Sequence, residues 1–167
     1  MTGTDKLYLA PFQGITGMVF REVSTRYFKG IDKLFTPFFT GVHKRSNLVT
    51  RSDELHEMHH NQVPLVPQIL SKDVDEIVRF ANFCSEKGFK EINWNLGCPY
   101  PRVANKKRGS GMLPHPEMIK TILSEVNDKL PIQLSVKCRL GYYTPDEILK
   151  LIPVFNQFEI SELIIHA

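Results

Sequence analysis

Short apolar or β-branched runs alternate with longer stretches of helical periodicity through this whole chain, and that alternation limits the fold more than any other feature. The strand runs are 7–12, 33–38, 65–70, 91–96, 133–139 and 162–166, and the helical stretches between them are 16–28, 53–61, 73–87, 116–129 and 144–158. Strands separated by helices predict an α/β fold with a parallel sheet, because a parallel neighbour is reached only through a long crossover. Asp73 and Thr144 stand where helix N-caps are expected, with Glu76 and Glu147 three positions on. Pro145 suits a first helical position and Gly88 a helix C-terminus. No repeat, low-complexity tract or linker breaks the pattern, so the 167 residues read as one domain.

The strands also predict two unlike faces. In 133–139, Leu134, Val136 and Cys138 alternate with Gln133, Ser135, Lys137 and Arg139. In 91–96, Ile92, Trp94 and Leu96 oppose Glu91, Asn93 and Asn95. The apolar face can lie under helices while the polar face points into a barrel or crevice. Gln68, Asn95, Lys137 and His166 each sit at the C-terminal end of a different strand run. In parallel α/β folds that edge is where sites are built, so a site is expected there.

Asn95-Leu96-Gly97-Cys98-Pro99 is the most chemical stretch. Glycine lets the chain turn where a Cβ would clash, and proline fixes the exit. A thiol on such a turn is displayed rather than packed, as a reactive cysteine must be. A nucleophilic Cys98 would want a histidine partner, whereas a general acid would keep its proton until needed. The residues leave both open. Lys137 on an inner strand face is costly unless it is paired or meets an anionic or electron-rich ligand. His56-Glu57-Met58-His59-His60 matches the letters of a zinc-protease helix, but its stretch is short, runs into a strand and has no third ligand following. No metal is expected. Arg102, Lys106, Lys107 and Arg108 form a basic loop that leads into Gly109-Ser110-Gly111 and suits phosphates.

With 42% hydrophobic and 23% charged residues the chain is not disordered, and a net charge of +3 tolerates a polyanionic partner without requiring one. Three scattered cysteines argue against a disulfide scaffold or a zinc ribbon. The N-terminus lacks the build of a signal peptide, and no run reaches membrane-spanning length. The expectation is a soluble cytoplasmic protein.

Together these motifs resemble the tRNA-dihydrouridine synthases. Ala10-Pro11-Phe12-Gln13-Gly14-Ile15-Thr16 is similar to their A-P-M-x-G-[VI]-T opening, and Gln68-Ile69 to their Q-I. Asn95 to Pro99 is similar to N-x-G-C-P, and Gly109 to Leu113 to G-[GS]-G-x-x-L. Val136-Lys137-Cys138-Arg139-Leu140-Gly141 is similar to V-K-x-R-x-G, and His166-Ala167 to the start of H-[GA]-R-T. The resemblance implies a TIM (β/α)8 barrel with FMN at its C-terminal face, NADPH (or NADH) as reductant and tRNA as substrate. It implies Cys98 as the general acid for C5 of a flipped uridine, with hydride from the flavin to C6. Pro11, Phe12, Gln68, Lys137 and His166 would hold the flavin, and Asn95 and Arg139 the uracil. Phe12 stands where the family has Met, and Ser71 follows where a Gly is usual.

Six strands do not close an eight-stranded barrel. Residues 1–167 are therefore expected to be the N-terminal portion of an FMN-binding catalytic domain, without its last strands or the helical tRNA-binding domain. Such a portion is expected to bind FMN weakly and to lack full activity. The alternatives are another FMN-dependent barrel acting on a small molecule, and an inactive remnant.

Overall fold

The sheet follows from side-chain alternation. In β6 (Gln133–Arg139), Leu134, Val136 and Cys138 are buried in the main apolar cluster, while Ser135, Lys137 and Arg139 take the other face. The computed structural model describes residues 5–43, 52–55 and 63–167. Within these, β1 (Leu7–Leu9), β2 (Ile31–Phe35), β3 (Leu65–Val66), β4 (Gln68–Ile69), β5 (Glu91–Leu96), β6 and β7 (Ile160–His166) are all parallel to their neighbours. The helices are α1 (Met18–Tyr27), α2 (Val74–Glu86), α3 (Pro101–Ala104), α4 (Pro116–Val126) and α5 (Glu147–Phe155).

Strands β1-β2-β3 form one ladder and β4-β5-β6-β7 another. The break falls at Pro67, inside the strand predicted over 65–70: proline has no N–H to give, though its carbonyl accepts Asn93 N at 2.8 Å. Phe39 bridges to Ile69, with Phe39 N on the Gln68 carbonyl and Leu70 N on the Phe39 carbonyl, both 2.8 Å. The strand order therefore follows the chain. The sheet also curls, for Tyr8 on β1 donates its hydroxyl to Glu162 Oε1 on β7 at 2.7 Å. A flat sheet would hold these two edge strands far apart. Among the described residues β1 and β7 do not pair, and no closed barrel forms.

Helix α2 starts and stops as its sequence predicts. Asp73 Oδ1 accepts Glu76 N at 3.0 Å, Ile77, Phe80, Ala81 and Cys84 bury one stripe, and Gly88 ends the helix at φ +91°. Trp94 fills the space beneath and donates its indole N–H to the Ser71 carbonyl at 2.8 Å. Helix α5 corrects the sequence reading: it begins at Glu147, not at Thr144 and Pro145. The Glu147 carboxylate instead accepts Tyr142 N at 2.7 Å and Tyr143 N at 3.1 Å, so it closes the preceding turn. Of the helix predicted over 53–61, residues Ser52–Leu55 form a 3-10 turn, and the rest lies outside the described residues. His56, Glu57, His59 and His60 fall there too. Among the described residues no three His, Cys, Asp or Glu cluster as metal ligands, and no helix is long and apolar enough to cross a membrane.

Candidate functional site

The inner face of the sheet is polar and ordered in rows. Near the strand starts, Lys33 Nζ meets Glu91 at 3.2 Å and Glu162 at 2.9 Å. One row higher, Gln68 Nε2 donates to Asn93 Oδ1 at 2.8 Å and Asn93 Nδ2 to Ser135 Oγ at 2.9 Å. Gln68, Asn93 and Ser135 are 0% exposed, so their mutual bonding is what makes polar groups tolerable there. Above them, at the carboxyl ends, Asn95 pairs in register with Lys137, and Arg139 with His166. Four residues singled out in the sequence thus share one face of neighbouring strands.

Asn95 shapes the turn that follows it. Its Oδ1 accepts both Gly97 N and Cys98 N at 3.0 Å, and its Nδ2 donates to Gln68 Oε1 at 2.7 Å. The row of amides below therefore fixes which way the Asn95 carboxamide faces. Arg139 Nε donates to the Gly97 carbonyl at 2.9 Å. The Cys98 carbonyl accepts from Ser110 N and from Ser110 Oγ, both at 3.0 Å.

The three thiols differ sharply. Cys98 is partly exposed, whereas Cys84 and Cys138 are buried. Burial pushes the Cys138 thiol up to about 11, with Lys137 pulling weakly the other way, and burial raises Cys84 further. Neither is reactive near neutrality. Among the described residues no histidine bonds the Cys98 thiol. Lys137 is pushed below the usual ammonium range, first by burial and then by Arg139, with Cys138 opposing. Its ammonium has no carboxylate or hydrogen-bond acceptor among the described residues. Among those residues it is a half-buried cation without a counter-charge.

The remaining residues of interest lie along the same edge. His166 is exposed at the end of β7. In the turn after β1, Phe12 N donates to Thr16 Oγ1 at 2.8 Å, and the Phe12 carbonyl accepts Ile15 N and Thr16 N, both at 3.0 Å. What Pro11 and Phe12 leave available is therefore the Pro11 carbonyl and the Phe12 ring, which is 63% exposed. Ser71 joins Glu76 through its hydroxyl and accepts Asp73 N at 3.0 Å. Glu76, 1% exposed, also meets His43 Nδ1 at 2.9 Å.

Sequence reasoning missed Asn93, Ser135 and Ser110 as members of this network. The polar alternation of β5 and β6 carried the signal for the first two. For Ser110 the signal was its pair of glycines. Gly109 sits at φ +54°, and a Cβ there would stand 2.7 Å from the Cys98 carbonyl oxygen. At Gly111 a Cβ would stand 2.1 Å from the Ala104 oxygen. These glycines permit close backbone approach to the Cys98 turn.

Fold and site together define a parallel α/β protein with a displayed thiol and, at the carboxyl edge of its sheet, a cation unpaired among the described residues. The family model for dihydrouridine synthase matches residues 8–167. The chain belongs to the dihydrouridine synthase family. It is 30% identical over 167 residues to tRNA-dihydrouridine synthase B of Pasteurella multocida (strain Pm70), covering 98% of this chain and 48% of that protein. It is 31% identical over 166 residues to a probable tRNA-dihydrouridine synthase of Staphylococcus epidermidis (strain ATCC 12228), covering 95% of this chain and 48% of that protein. The chain spans about half the length of the curated relatives it matches.

Proposed function

We propose that this chain forms the N-terminal portion of a flavin-binding catalytic domain that reduces uridine in tRNA to 5,6-dihydrouridine, with NADPH as the source of reducing equivalents. The observation that carries the reading is the pairing of Asn95 with Lys137 at the end of a curled parallel sheet, beside a partly exposed Cys98. The residues present fit FMN. Lys137 is a cation without a counter-charge among the described residues, which suits an electron-rich ring system, and desolvation is the main cause of its lowered pKa. The Pro11 carbonyl and His166 border the same edge. Gln68, expected from the sequence to touch the flavin, instead lies one row below it, 0% exposed and bonded to Asn93 and Asn95, and supports the edge from beneath. When bound, FMN would supply the hydride for C6 of the uracil.

The chain's own part is binding and the proton. Cys98 Sγ donates that proton to C5, a role supported over nucleophilic attack because among the described residues no histidine bonds its thiol. Asn95 Nδ2 spends one N–H on Gln68 and keeps the other for a uracil carbonyl. Arg139 lies one strand over from Asn95, where it can meet the base while holding the Gly97 carbonyl. Arg102 on α3 and Lys106, Lys107 and Arg108 in the stretch after it supply phosphate contacts as the target nucleotide leaves its stack. The test is to titrate FMN into the purified chain by fluorescence and to measure dihydrouridine in tRNA from a deletion strain. Weak flavin binding that Lys137→Ala abolishes, with loss of dihydrouridine in the strain, is expected. Flavin binding with unchanged dihydrouridine would favour a small-molecule flavoenzyme, and no flavin binding an inactive remnant.

A further inference from the structure

Every backbone polar group of the Gly97–Cys98 dipeptide is bonded within the chain. Gly97 N and Cys98 N go to Asn95 Oδ1, the Gly97 carbonyl to Arg139 Nε, and the Cys98 carbonyl to Ser110 N and Ser110 Oγ. The thiol is then the one polar group of the dipeptide left without a partner among the described residues. We propose that Ser110 is a positioning residue for Cys98, its hydroxyl fixing the carbonyl and so the direction in which the thiol leaves the turn. This rests on the reading of Cys98 as proton donor.

Three features make the contact a seat for the turn. Ser110 is 0% exposed, and among the described residues its hydroxyl has no acceptor other than the Cys98 carbonyl. Gly109, at φ +54° with no room for a Cβ against the Cys98 oxygen, brings the Ser110 backbone within bonding distance. Gly111 lies as close to the Ala104 carbonyl at the end of α3, so the short 3-10 turn Gly109–Met112 is wedged between the Cys98 turn and α3. Glycine on either side of the serine is what this geometry demands, because a Cβ at 109 or 111 would push the segment away. The effect on chemistry is indirect. A proton donor has to stand within hydrogen-bond reach of the atom it serves, and a loosened turn spreads the thiol over many positions.

Iodoacetamide alkylation of the chain, with peptide mass mapping of the labelled cysteine, tests this at a fixed pH near 8. Cys84 and Cys138 are buried and stay silent, so the rate reports Cys98 alone. Ser110→Ala is expected to raise the Cys98 rate about fivefold, the factor that one net hydrogen bond is worth. Ser110→Thr, which keeps the hydroxyl, restores the parent rate. Ser71→Ala removes a different buried hydroxyl, bonded to Glu76 and Asp73, and is expected to leave the rate within twofold. A Ser110→Ala rate within twofold of the parent, equal acceleration by Ser71→Ala, or labelling of Cys84 and Cys138 alongside Cys98 overturns the assignment. The labelling needs neither flavin nor RNA. A chain that fails to act on tRNA therefore removes the proposed function without touching this result.

Discussion

At Asn95 one carboxamide does two jobs, and the two can be separated by substitution. Its oxygen holds Gly97 N and Cys98 N, and its nitrogen ties the turn to Gln68. Asn95→Ala strips both turn amides of their acceptor and is expected to cost about 2 kcal/mol in urea unfolding. Asn95→Asp keeps the acceptor and loses only the donor, so it should keep more of that stability. A variant Asp no better than Ala would show that the oxygen is not what holds the turn. Gly109→Ala is expected to lose roughly 1–3 kcal/mol in the same assay, from a left-handed backbone and a displaced Cys98 carbonyl. The turn itself was legible from Gly97 and Pro99, and the inward aim of Asn95 from strand alternation. That the Asn95 oxygen folds back onto its own turn was not legible. Nor was the seat at Ser110, twelve residues on, because a hydrogen bond across that separation leaves no periodic trace.

Element by element, the readable parts were those whose signal is local. Strands β5 and β6 match their predicted ranges, because alternation over six or seven residues admits only one register of faces. Helix α2 announced itself through Asp73, an apolar stripe and Gly88. Helix α5 misled because Thr144, Pro145 and Glu147 satisfy the pattern of a capping box, while the Glu147 carboxylate found nearer donors at Tyr142 and Tyr143. This gives a paired prediction. Asp73→Ala, which removes a cap seen in the structure, should lower stability by about 1 kcal/mol. Thr144→Ala should be close to neutral, and Glu147→Ala should cost about as much as the Asp73 change. Thermal unfolding of the three variants checks it, and a costly Thr144→Ala would put the helix start back where its sequence first suggested.

Across the whole molecule, the row that gathers Tyr8, Lys33, Glu91 and Glu162 spans β1 to β7, linking residues 154 and 129 positions apart. No sequence pattern pairs charges at such range; only the curl of the sheet does. Its electrostatics predict how stability varies with pH. Burial works against the Glu162 carboxylate, but the Tyr8 hydroxyl and Lys33 more than offset it, holding Glu162 below its ordinary value of 4.5. Lys33, likewise opposed by burial, is raised above 10.5 by Glu162 and Glu91. A depressed carboxylate adds stability above its unfolded value and loses it as the pH falls through the folded one, so the acid limb begins below 4.5. A raised ammonium adds stability below 10.5 and loses it as the pH rises through its folded value. The chain is therefore expected to be most stable on a plateau between these limits. Glu162→Gln should lower that plateau, flatten the acid limb and converge with the parent once the parent's Glu162 is protonated. Urea midpoints from pH 3 to 8 read this directly, and a gap between the two chains that stays constant down to pH 3 would mean the row contributes shape to the curled sheet but no net charge stabilisation.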